Sequence, residues 1–129
     1  VYIDDYAHHP TELKKTIEAV RSHFPGRHLT VVFQPHLYSI TRDFMNQFAQ
    51  VLSKFDEVTL LDIYPAREEP LEGINSRKLL NLINNVNKNL VDKQELKHVV
   101  QNSNSDVFVV MGAGDISDEV YKIKDVILN

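Results

Sequence analysis

Short apolar runs alternate along this chain with stretches whose apolar residues recur every three or four positions. Val1–Asp4 reads as an opening strand. Leu13, Ile17, Val20 and Phe24 then fall at i, i+4, i+7 and i+11, one stripe of an amphipathic helix. Pro10 suits the first position of that helix, where its missing N–H would be unpaired anyway, and Pro25-Gly26 ends it. Leu29–Phe33 is a β-branched run bounded by Pro35, and Phe44, Phe48, Val51/Leu52 and Phe55 form a second helical stripe. Val58–Asp62 reads as a third strand, Ile63–Asn75 as a loop, Ser76–Ile83 as a short helix and Leu90-Val91 as a brief strand. Asp92 and Glu95 have the spacing of a capping box ahead of Leu96, Val99 and Val100. Val107–Met111 is the last strand, and Ile116, Val120, Ile123 and Ile127 mark a closing helix.

Strands that are apolar without alternation are buried on both faces, so the pattern predicts an α/β fold. The expected form is a three-layer sandwich: a mostly parallel sheet of about five or six strands, helices on both faces, and right-handed crossovers. No linker, repeat or low-complexity tract divides residues 1–129, so the chain reads as one domain. It opens without Met and inside an apparent strand, and is therefore expected to be a domain of a longer protein.

Composition narrows the chemistry. With 43% hydrophobic and 25% charged residues the chain has the make-up of a globular domain. A net charge of −4 and no basic block argue against a nucleic-acid partner. The absence of cysteine excludes disulfides, iron–sulfur clusters and thiolate metal sites, and fits a reducing compartment. No run of apolar residues is long enough for a membrane span, and no signal-peptide pattern opens the chain.

In such a sheet, ligands bind at the carboxyl ends of the strands. The first loop there holds Asp5, Tyr6, His8 and His9, and the second Gln34, His36, Tyr38, Ser39 and Arg42. The third holds Tyr64, Arg67, Glu68 and Glu69, and the last Gly112-Ala113-Gly114-Asp115. His8, His9 and His36, three of the six histidines, lie on this edge. Each has a plainer reading. His8 or His9 can cap the helix, Arg42 can meet an anion or a local carboxylate in the first turn of its helix, and Arg67-Glu68-Glu69 can be a solvated charge run. A metal site from Asp5, His8 and His36 has no recognised ligand spacing behind it, and none is expected. Gly112-Ala113-Gly114 lacks the rest of a dinucleotide fingerprint and reads as a tight turn. None of the four glycines precedes a lysine, so there is no phosphate loop, and no nucleophile signature is present.

Four segments in order resemble a known family: DDYAHHPTE at 4–12, FQPHLYSITRD at 33–43, DIYPAREEP at 62–70 and MGAGDI at 111–116. Together they are similar to the C-terminal domain of the bacterial muramyl ligases, and across nearly the whole chain to members that join L-alanine to UDP-N-acetylmuramate. The resemblance implies a Rossmann-like sheet and an ATP-dependent, amide-forming, cytoplasmic enzyme of peptidoglycan synthesis. A central ATPase domain, absent here, would supply the phosphate loop and hold most of the ATP and Mg2+. This domain would close over it, and alone would be inactive and bind neither tightly. By motif, Asp5, Tyr6 and His8 are expected to face the nucleotide, and His36, Arg42 and Arg67 the amino acid. Leu37 and Ile40 stand where such ligases often carry arginine. The alternatives are a recycling ligase that attaches a whole peptide to the same sugar nucleotide, and a free-standing module for nucleotide or a small anion.

Overall fold

Strands β1 (Tyr2–Asp5), β2 (Leu29–Phe33), β3 (Glu57–Leu60), β4 (Lys88–Leu90) and β5 (Val107–Met111) form one parallel sheet in the order β1-β5-β2-β3-β4. The computed structural model describes residues 2–5, 7–85, 87–103 and 105–116, so the closing helix expected beyond Ile116 and the side chain of Tyr6 lie outside the described residues. β2 and β5 sit at the centre with Leu29 opposite Val107 and Phe33 opposite Met111, and every residue of both is buried. That is why both read in the sequence as runs without polar alternation, Thr30 being the one polar residue between them.

The helices are α1 (Pro10–His23), α2 (Tyr38–Asp43), α3 (Met45–Leu52), α4 (Ser76–Leu82) and α5 (Leu96–Asn102), the last preceded by a 3-10 turn at Lys93–Glu95. Leu13, Ile17 and Val20 of α1, Phe48 and Leu52 of α3 and Leu79 of α4 pack on Val31, Phe33, Leu60 and Val109 on one face. Leu96 and Val100 of α5 pack on Val32, Phe108 and Val110 on the other, together with Leu61 and Ile116. Burying each such side chain contributes roughly 1.5–3 kcal/mol, far more than any surface pair. The helices after β1, β2 and β3 lie on one face and α5, which leads back from β4 to β5, lies on the other. Right-handed crossovers require that switch when the path across the sheet reverses. The three-layer, all-parallel sandwich is thus the one expected.

Some boundaries differ from the sequence reading. The helix is broken at Phe44, the head of the stripe, where φ is −120°, so α2 and α3 are separate helices. Phe55 is buried beyond the end of α3. β4 is Lys88–Leu90 rather than Leu90-Val91, because a three-residue edge strand carries almost no apolar pattern. Among the described residues no helix is long and apolar enough to cross a membrane.

Candidate functional site

The loop after β1 is held from within. His9 is the N-cap of α1: its Nδ1 accepts the Thr11 N–H at 3.3 Å, and Glu12 Oε1 accepts the His9 N–H at 3.1 Å, a reciprocal capping box. Its ring also packs edge-on against Phe44 at 4.6 Å, so the plainer reading of His9 is the observed one. The Asp5 carboxylate accepts the Ala7 N–H at 3.0 Å and the Thr16 hydroxyl at 2.7 Å, tying the end of β1 to α1. Between these anchors His8 is half-buried, 3.7 Å from Glu12, with its ring turned toward the next loop.

That loop delivers His36. Its ring meets His8 in a T-shaped contact, 5.5 Å between centroids at 77°, and stacks on Tyr64 of the loop after β3 at 5.8 Å and 13°. The backbones are joined too. Leu37 donates to Tyr64 O and Tyr64 donates to Pro35 O, both at 2.8 Å, around an isolated bridge between His36 and Tyr64. His36 Nδ1 is buried and has no hydrogen-bond partner among the described residues. Burial first, and then the neighbouring His8, push the His36 pKa below its ordinary 6.5, while Glu68 pulls the other way. The imidazole is therefore neutral at neutral pH and keeps both donor and acceptor capacity.

Glu68 is no solvated charge. Its Oε1 accepts the Ser39 N–H at 3.1 Å and its Oε2 the Ser39 hydroxyl. These bonds, with the attraction of Arg42, hold its carboxyl below the usual range against the opposing effect of burial. Glu69, next to it, is exposed. Arg42 lies in the last turn of α2, not in a first turn as expected, because that helix starts at Tyr38 and ends at Asp43. A cation there suits the helix dipole, and its Nε donates to Asp43 at 2.8 Å, which raises its pKa. Arg67 is exposed and has no ion pair with a described residue.

The turn after β5 closes the edge. Gly112 has φ +151°, and Gly114 backs directly onto the Tyr64 ring. Gln34, buried, donates from Nε2 to Asp115 at 2.6 Å and accepts the Ile116 N–H at 2.9 Å, while Lys93 donates to the other Asp115 oxygen. A cleft of about 200 Å3 opens here beside Tyr64, lined also by Asp62, Val91, Lys93 and Asp115. Among the described residues no group of three or more His, Asp or Glu is arranged to hold a metal ion.

Of the site residues expected from sequence, the structure brings His8 and His36 together and puts Arg42 within electrostatic reach of the same cluster through Glu68. Asp5 supports the loop, Arg67 stands apart, and Tyr6 lies outside the described residues. Tyr64 and Glu68 were not anticipated as site residues. The one sequence signal for them is that their loop leaves the same sheet edge as His36.

Five parallel strands covered by helices on both faces, with ring and charged groups from three loops meeting at one carboxyl edge, define an α/β domain of Rossmann-like build. Residues 1–114 match the model for the Mur ligase, glutamate ligase domain, and the chain belongs to that family. It is 54% identical over 129 residues to the UDP-N-acetylmuramate–L-alanine ligase of Christiangramia forsetii, covering all of this chain and 28% of that protein. To the ligase of the same name from Flavobacterium psychrophilum it is 56% identical over 124 residues, 96% of this chain and 28% of the relative. The chain thus spans just over a quarter of the length of these relatives. Among solved structures, it superposes on the UDP-N-acetylmuramate–alanine ligase of Thermotoga maritima with a TM-score of 0.72 at 25% identity, over 98% of this chain and 26% of that one. A murein peptide ligase from Psychrobacter arcticus, 18% identical over 99% of this chain and 27% of its own, shares the fold with a TM-score of 0.75.

Proposed function

We propose that this chain is the C-terminal domain of an ATP-dependent ligase that joins L-alanine to UDP-N-acetylmuramate in cytoplasmic peptidoglycan synthesis. Identity above one half to ligases of that name, across the chain, supports the substrate assignment over the peptide-recycling alternative. The structural observation that carries it is the meeting of His8 and His36, 5.5 Å apart on separate loops, at the edge where a partner domain can close. Amide formation from an activated acyl group needs water kept out and the amine aligned. A domain that closes over the reacting groups supplies both.

Within that closure, His8 serves the nucleotide side on a loop that Asp5 holds in place, and Tyr6 is assigned to the same ligand by its motif. His36, neutral, hydrogen-bonds the amino acid, and the guanidinium groups of Arg42 and Arg67 attract its carboxylate. With Leu37 and Ile40 apolar, these are the cations the two loops offer. The sequence has no phosphate loop with which to cradle ATP and its Mg2+. Their binding is left to the central domain. The test is kinetic, in the full-length enzyme. His8→Ala lowers turnover about tenfold or more, a loss of about 1.4 kcal/mol in transition-state stabilisation, and His36→Ala raises KM for L-alanine. Wild-type kinetics in both variants would remove this edge from the active site.

A further inference from the structure

The segment that carries His36 into α2 is strained. Leu37 has φ 70° and ψ 138°, a region unfavourable for a residue with a side chain, which persists when neighbours over-determine it. Three sets of bonds do so. The Leu37 N–H is held by Tyr64 O, and the Leu37 carbonyl accepts the Thr41 N–H at 3.2 Å and the Thr41 hydroxyl at 2.7 Å. Two residues beyond Leu37, both polar hydrogens of Ser39 go to the carboxylate of Glu68. Glu68 is itself fixed by a turn in which its N–H meets Pro65 O at 2.9 Å and Ala66 adopts φ 53°. Each partner of this bidentate clamp thus follows a positive-φ non-glycine residue by two positions, Ser39 after Leu37 and Glu68 after Ala66. A carboxylate is the group suited to it, since its two oxygens accept both donors at once with charge-assisted strength.

We propose that Glu68 is a positioning residue: by gripping Ser39 it holds the strained turn at Leu37 and so fixes the His36 ring between His8 and Tyr64, in register for the incoming amino acid. It touches no substrate. The inference rests on the reading of His36 as part of the amino-acid site, and its test separates the two.

In the full-length ligase, Glu68→Ala and Ser39→Ala each raise KM for L-alanine about tenfold, while KM for ATP and kcat stay within about twofold. The double variant is no worse than either single one, because both remove the same clamp. Glu68→Gln recovers most of the loss, its amide oxygen still accepting the Ser39 N–H. Histidine ring resonances supply a readout free of activity: Glu68→Ala shifts those of His36, and Glu68→Gln shifts them less. An unchanged KM for L-alanine and unchanged His36 resonances in Glu68→Ala overturn the proposal, as does a uniform rise in every KM that Glu68→Gln does not relieve. If His36→Ala leaves KM for L-alanine alone while Glu68→Ala still moves the His36 ring, the clamp stands and the amino-acid reading of His36 falls.

Discussion

Tyr64 occupies the space that a side chain on residue 114 would need: a Cβ at Gly114 would stand 2.5 Å from Tyr64 Cγ and 2.7 Å from Gln34 Oε1. The turn after β5 therefore forms the back wall of the aromatic stack, and glycine is required there for close approach. Gly114→Ala has to push the ring off its seat, and inserted methyl groups in packed sites cost about 1–3 kcal/mol. Because Tyr64 stacks on His36, the displacement reaches the site. The expected result is a lower urea midpoint together with shifted His36 ring resonances; both unchanged would show that the ring yields freely.

Acid should weaken the fold in two steps. His36 has a pKa below its ordinary 6.5 in the folded chain, so protons bind the unfolded chain more readily. Its contribution is complete above pH 6.5 and is lost as pH falls through the depressed folded value. Asp56 and Asp115 are likewise held below 3.8: burial opposes this, but bonds from Leu29 and Arg21 in the first case, and from Lys93 and Gln34 in the second, outweigh it. Their contribution is present above 3.8 and disappears as pH falls through their lower values. Urea midpoints measured against pH should show both declines, and His36→Asn should flatten the upper one and leave the lower. An unaltered upper decline in that variant would assign it to another group.

The sequence was most legible where a residue's environment is set by its own segment. β2 and β5 are legible to the residue because strands buried on both faces are dominated by β-branched and apolar residues, and Pro10 marks the start of α1 because proline fits that position. The capping box at Asp92 and Glu95 was legible for the same local reason. What failed depended on contacts between segments. The break at Phe44 keeps the apolar stripe intact, so periodicity passes through it and Arg42 was assigned to the wrong end of a helix. Glu68 looks like any acid in a charged run until Ser39, 29 residues earlier, is found against it. His36 was found by its place at a strand end, whereas the stack on Tyr64 follows from a pairing between loops that no spacing encodes.

Asp5 is a structural acid as well as a candidate site residue, and Thr16 separates the two roles. Thr16 Oγ1 donates to Asp5 Oδ2 at 2.7 Å and lies 3.0 Å from Glu12 O on its own helix. Thr16→Val keeps the shape and removes the donor, so it should lower the stability of this chain by about 1 kcal/mol, the ordinary net value of one such bond. Added to Asp5→Ala it should cost almost nothing further, since the shared interaction is already gone. A Thr16→Val variant as stable as wild type would show that this bond holds nothing, and would leave the Ala7 N–H as the structural partner of Asp5.

Gln34 is buried with each end of its amide committed to a different kind of partner, which makes its replacement by glutamate informative. The Nε2 end donates to the Asp115 carboxylate at 2.6 Å, and the Oε1 end accepts the Ile116 N–H at 2.9 Å. Gln34→Leu strands the Ile116 N–H and leaves Asp115 with Lys93 alone, and should cost about 1–3 kcal/mol at any pH where Asp115 is ionised. Gln34→Glu keeps the acceptor for Ile116 but sets two carboxylates where a hydrogen bond stood, with Lys93 able to offset one charge and not both. The new carboxyl should therefore titrate above its unfolded value, so the variant is weakest at neutral pH and recovers as pH falls through that raised value, the reverse of the wild-type trend. Urea midpoints at neutral and mildly acidic pH decide it. A Gln34→Glu protein that loses stability with acid in step with wild type would mean that the Gln34–Asp115 contact does not hold in solution.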